Sequence, residues 1–519
     1  MSPLSRRQLL GWGLTGGALA VAGAAGLWWG ARPQGPAPRA SPAPGPAAVG
    51  GGLREPDTLS SADGLLELEL RAAPAEVRIG DRRAQVHAFN ASLPGPTLRI
   101  RAGDTLRVRM VNGLDAPTNL HVHGLHVSPQ GNGDNPFVAI GPGEAFDYEF
   151  AVPADHPPGT YWYHPHHHGH VADQVGAGLY GAIVVEDPEP LPVTRERLLM
   201  VSDLSLNTSG RLAGVSPMEQ MTGREGELVL VNGHVRPELS AAPGERERWR
   251  IINACPSRFL RLHLQGQSLR LLSRDRGRFH TPVDVDAVEL VPGGRVELLV
   301  ETSEGTSTLV ASSVDRGTMP DMMGGARPGG TGPVDLLEMT VSGNPVPALP
   351  VVPAGPVLPD LRGETVSSRR TLDFAMSGPM MGGPMMGGRG GPGGNGRPGP
   401  GGMMSFTVNG RAFGPDRTDA RVQAGTVEEW VLTNSSPMDH PIHLHVWPMQ
   451  VIQDGADGQA GADGQDEPGE PRWADVVNVP AFGEVTVRVA FEDFTGRTVF
   501  HCHILDHEDL GMMGTVEVG

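Results

Sequence analysis

The chain has 519 residues, enough for about three or four ordinary domains, with 41 Lys plus Arg against 59 Asp plus Glu and a formal charge of −18. That balance argues against nucleic acid as a partner and suits a soluble exported protein. Only two cysteines occur, Cys255 and Cys502. If Cys502 serves a metal, no internal disulfide remains, and Cys255 reads as a small buried hydrophobe.

Ser5-Arg6-Arg7-Gln8-Leu9-Leu10 and the Ala- and Gly-rich apolar run to Gly30 have the basic and apolar regions of an export signal. The paired arginines resemble a twin-arginine leader, which directs a protein to the periplasm or beyond. Ala22-Gly23-Ala24 offers a cleavage site, so residues 1–30 are expected to be removed, leaving no stable membrane insertion. An uncleaved anchor is the alternative. Residues 31–57, rich in Pro, Ala and Gly, read as a flexible linker.

The body repeats itself. Ala102-Gly103-Asp104 to Asn112, Pro243-Gly244-Glu245 to Asn253 and Ala424-Gly425-Thr426 to Asn434 each open on a Gly turn, alternate along a strand and end on Asn. A second element recurs from Gly143, Gly294 and Gly483. Short alternating runs between Gly and Pro turns predict three tandem Greek-key β-sandwiches, an all-β fold. Their expected spans are 58–190, 191–350 and 351–519.

Histidines gather in four segments. His121-Val122-His123 and His164-Pro165-His166 each place two imidazoles on one side of an extended backbone. His440-Pro441-Ile442-His443-Leu444-His445 adds three more. His501-Cys502-His503 sends Cys502 to one face and its neighbours to the other, with His507 and Met512 following. Thiolate, imidazole and thioether at one end, completed by a second imidazole, form the ligand set of blue copper. In the middle repeat the matching offsets hold Leu262 and Leu264, with His263 on the opposite face. That domain is expected to be a spacer without copper ligands.

The four segments, in this order and spacing, resemble the copper motifs of the multicopper oxidases, and the resemblance runs from about residue 60 to the end. It implies cupredoxin domains and four copper ions. His440, Cys502 and His507 match the equatorial ligands of type 1 copper, with Met512 axial. His121 and His443 match the type 2 ligands. His123, His164, His166, His445, His501 and His503 match the ligands of the two type 3 coppers. Glu508 resembles the family's proton relay, and Asp134 the acid beside the type 2 water; as plain structure they read as a helix-start carboxylate and a turn Asp. His168 matches a family histidine that binds no copper, and His167 and His170 read as loop or supporting residues.

Half of the 20 methionines lie in two Gly- and Pro-rich stretches, 319–325 and an insert at 376–404. Gly and Pro at that density form no packed element. The stretches resemble the Met-rich inserts of cuprous oxidases, with Met380, Met381, Met385 and Met386 as candidate ligands for substrate Cu(I). Met438 and Asp439, next to His440, are further candidates, with packing as their other reading. The expected protein is a monomeric oxidase reducing O2 to water, with Cu(I), phenols or aromatic amines as donors. The alternative is a general laccase with no copper-specific role. A storage protein, a nitrite reductase or a single electron-transfer cupredoxin fits the intact motifs and the length poorly.

Overall fold

The computed structural model describes residues 51–317, 332–377, 405–454 and 470–519. The leader, most of the linker, the run 319–325 and the candidates Met380, Met381, Met385 and Met386 lie outside the described residues. Met376 lies inside them, buried in the strand Val366–Ser377, so the insert begins after that strand. No described helix is long and apolar enough to cross a membrane.

Among the described residues, six β-sheets pair off in chain order. Residues 58–185 build a five- and a four-stranded sheet, residues 195–341 a six- and a five-stranded sheet, and residues 366–518 another six and five. Alternation drives this: Thr105–Asn112 and Glu484–Phe491 bury every second side chain. Each pair of sheets closes on its own core, around Tyr163, Trp249 and Trp430 respectively. The chain is thus all-β, with three cupredoxin-like sandwiches in tandem.

The recurring elements are neighbours in every sandwich. Thr105 pairs with Ala151, Arg246 with Glu301 and Thr426 with Phe491, all antiparallel. The closing asparagines also work alike. Asn112 Nδ2 donates to the carbonyls of Ala116 and Ile140, Asn253 to Arg258 and Leu290, and Asn434 to Met438 and Val479. Each Oδ1 accepts the backbone N–H two residues on. A buried amide satisfied in this way fixes where the next loop starts, at a net gain of about 1 kcal/mol per bond. In the outer domains that loop leads to His121 and to His440. In the middle domain it leads to Leu260–Leu264, where Leu262 and Leu264 are buried and His263 is half-exposed.

Candidate metal centre

The strand Gly496–Cys502 bends into the short helix Leu505–Asp509. Cys502 N–H donates to the Met512 carbonyl (3.0 Å) and Met512 N–H to that of His507 (2.8 Å), so the bend returns on itself. Cys502 Sγ lies 3.5 Å from His440 Nδ1 and 3.8 Å from His507 Nδ1, and those nitrogens are 3.4 Å apart. His440, Cys502, His507 and Met512 are all fully buried. The far nitrogens are engaged: His507 Nε2 donates to the Met221 carbonyl (3.0 Å), and His440 Nε2 lies 2.7 Å from Ser436 Oγ. An N–H at Nε2 leaves the Nδ1 lone pair for a ligand beside the sulfur. Burial pushes the Cys502 thiol up and His440 down to about 3. The imidazoles are therefore neutral donors, and a bound cation is what would draw the proton from the thiol.

His501, in the strand, and His503, just past its end, turn away from Cys502. The ladders pair His121 with His164, and His443 with His501. The Nε2 atoms of His166, His445 and His501 lie 3.0 to 3.3 Å apart. His121 Nε2, from the first domain, faces His443 Nε2, from the third, at 3.3 Å. The rings of His123, His164 and His503 form a third group, with centroids 5.0 to 5.7 Å apart. Tautomers follow from what holds the other nitrogen. His443 Nδ1 donates to the Asp475 carbonyl (2.7 Å) and His164 Nδ1 to that of Pro165 (2.9 Å), leaving Nε2 free. His123 is reversed: Nε2 faces Asp475 Oδ1 (3.1 Å), and its buried Nδ1 has no hydrogen-bond partner among the described residues. Both ring nitrogens of His503 likewise lack partners among them. Burial, reinforced by neighbouring histidines, holds His121, His123, His166, His445 and His503 well below the ordinary imidazole range. Where two such lone pairs face each other, they repel unless a proton or a cation lies between them. The donor set, all imidazole here and His₂Cys with Met across the strand, fits copper.

Glu508 is fully buried between two of these rings, Oε2 3.1 Å from His501 Nδ1 and Oε1 3.4 Å from His166 Nε2. Asp134 grips His121 Nδ1 (2.9 Å) and accepts the Val122 N–H (3.2 Å); burial pushes its carboxyl up to about 8. His168 meets Phe413 edge-on, while His167 and His170 stack on each other. Met438 is fully buried in the third core. Asp439 accepts Asn478 Nδ2 (2.9 Å) and the Ala481 N–H (2.8 Å). These contacts use Met438 for packing and Asp439 for holding its loop.

The middle domain is more than a spacer. Among the described residues it adds none to these donor groups, yet it touches both halves of the centre. Arg295 forks onto Asp475, and Gly293 sits against the His503 ring. Met221 caps His507. Arg224 holds Asp506, beside His507, at 2.6 Å and reaches Asp173 of the first domain at 2.8 Å. None of the middle-domain residues Met221, Arg224, Gly293 and Arg295 lies in a histidine motif, so only folding brings them to view.

Family models described as multicopper oxidase match residues 72–190, 205–324 and 395–519. The multicopper oxidase mco of Staphylococcus haemolyticus is 28% identical over 441 residues, 83% of each chain. A solved multicopper oxidase from Campylobacter jejuni, described as a metallo-oxidase, superposes with a TM-score of 0.76 at 29% identity, covering 91% of this chain and 96% of that one. A laccase-like multicopper oxidase from Ochrobactrum sp., described as active towards lignin model compounds, gives 0.72 at 25% identity, covering 91% and 100%.

Proposed function

The chain belongs to the multicopper oxidase family and is a copper-dependent oxidoreductase, and from that premise we propose that it oxidises Cu(I) in copper tolerance, with laccase-like activity on phenols and aromatic amines. His440, Cys502, His507 and Met512 would hold type 1 copper. His121 and His443 would hold type 2 copper, with His123, His164 and His503 for one type 3 copper and His166, His445 and His501 for the other, four ions in all. Copper, when bound, accepts electrons singly from the donor and delivers four to dioxygen, which leaves as water. Cys502 and its two neighbours join the sites through three consecutive residues, His501 and Cys502 at the end of the strand Gly496–Cys502 and His503 just past it. Glu508 stands where a carboxyl can hand protons past His501 and His166, and Asp134 orients His121. Export through the twin-arginine-type leader belongs to the same proposal.

One observation favours Cu(I): the type 1 histidines present no free edge among the described residues. Both far nitrogens are buried and engaged, by Ser436 and by the Met221 carbonyl. A phenol therefore has no imidazole edge to touch. Gly317, immediately before residues 318–331, pairs with Met438, and Phe406, just after residue 404, stacks on His507 at 4.6 Å. Described residues that flank both methionine segments thus lie beside this site, and thioethers suit Cu(I).

Oxygen uptake with Cu(I) and with a phenol, side by side, tests this. Ser377 pairs with Ser405, so residues 378–404 can be replaced by a short turn. Loss of Cu(I) oxidation with phenol oxidation spared or raised supports the proposal. Two unchanged activities would favour the general laccase instead.

A further inference from the structure

We propose that Arg295, from a domain with no metal ligand, positions the histidine cluster by holding Asp475 as a hydrogen-bond acceptor and keeping it from acting as a ligand. Asp475 is tied to two histidines from different domains. Its Oδ1 faces His123 Nε2 at 3.1 Å, and its carbonyl accepts from His443 Nδ1 at 2.7 Å. The first contact makes His123 present Nδ1, and the second makes His443 present Nε2. The same carboxylate has the spacing of a ligand, since donor atoms of His123, His443 and Asp475 lie within 4.8 Å of one another. Two imidazoles and a carboxylate so placed could hold a divalent ion by themselves.

Arg295 occupies both carboxylate oxygens, Nη1 on Oδ1 and Nη2 on Oδ2, each at 2.5 Å. A planar guanidinium makes this two-point contact where an ammonium cannot. The arginine is itself fixed. Nε donates to the Thr160 carbonyl (3.2 Å), Nη2 to the Asp275 carbonyl (3.2 Å), and its backbone N–H to Asp275 Oδ1 (2.9 Å). Gly124, the residue after His123, leaves room for it: a Cβ there would lie 2.5 Å from Nη2 and 2.7 Å from Asp475 Oδ2. Without the guanidinium, a buried carboxylate with no such partner stands beside two metal-binding rings.

The inference rests on His123 and His443 being copper ligands, and the experiment separates the two claims. Full-length wild type, Arg295→Met, Arg295→Lys and Asp475→Asn are reconstituted with copper. Copper per chain, blue absorption, the type 2 paramagnetic spectrum and the thermal midpoint of the copper-free protein are compared. In Arg295→Met the affinity of the histidine cluster should fall about 10- to 100-fold. The type 2 spectrum should change while the Cys502 absorption stays, and Arg295→Lys should recover part of the loss. Asp475→Asn keeps the volume but sets an NH2 where the fork needs a second oxygen, so it should release the side chain, reproduce the defect and decide alone if Arg295→Met does not fold. Wild-type affinity and spectrum in the two removal variants would overturn the proposal, as would equal loss of the blue site. Wild type with no copper at the cluster would defeat the underlying assignment instead.

Discussion

Alanine at Gly293 should damage the histidine cluster from a domain that supplies none of its histidines. Gly293 has φ +82, and a Cβ there would lie 2.8 Å from Cδ2 and Nε2 of His503 and 2.9 Å from Cε1. Neither side can retreat freely. Gly293 N–H donates to the Asn253 carbonyl at 2.9 Å, and His503 N–H to that of Pro441 at 2.6 Å. The left-handed backbone costs roughly 1–2 kcal/mol for a residue with a Cβ, and forcing a methyl into a filled site costs about 1–3 kcal/mol. Together the penalty is roughly 2–5 kcal/mol. Borne by the metal-bound geometry alone, its lower end is about a thirtyfold loss of affinity. Copper titration of the cluster, followed beside denaturation of the copper-free protein, measures how the penalty divides. The variant should lose cluster copper, stability or both, and keep the blue absorption of Cys502. Wild-type stability together with wild-type copper content would refute the reasoning.

Arg224→Met should remove the clamp on the helix that carries His507. Asp506 is 2% and Arg224 15% exposed, and breaking such a pair from one side costs about 3–5 kcal/mol. Chemical denaturation should report that loss together with weaker blue absorption, and an unchanged midpoint would contradict it. Burial alone would raise the Glu297 carboxyl, but Arg248 and Arg250 outweigh it and hold the group at about 2, below its ordinary 4.5. A carboxyl depressed in the folded state stabilises above its unfolded value, and that share is lost as pH falls from about 4.5 through about 2. Glu297→Gln should therefore flatten the fall of the thermal midpoint across that window; an acid limb as steep as wild type would contradict the assignment.

The histidine spacing carried most of what could be read beforehand, because period-two alternation converts a motif into a face. His501 and Cys502 do lie on opposite faces, and Leu262 and Leu264 do turn inward where histidines stand in the outer domains. The repeats likewise exposed the three sandwiches through Asn112, Asn253 and Asn434. Residues that act across domain boundaries were hidden. Arg295 looks like any charged strand residue until Asp475, 180 positions away, meets it. Gly293 looks like a turn glycine, and only the fold reveals the ring it faces. Met221 acts through its carbonyl, which carries no side-chain signal. The reversed His123 is invisible for the same reason: which nitrogen is free depends on what the other one touches.

Copper reconstitution of wild type and Cys502→Ser, with copper content, blue absorption and oxygen uptake read on the same samples, tests the central claim most directly. The account predicts four coppers, an intense blue band and turnover in wild type. The variant should lose the band and the turnover, keep its fold and retain copper at the histidine cluster. Oxidase turnover that survives in Cys502→Ser would contradict it.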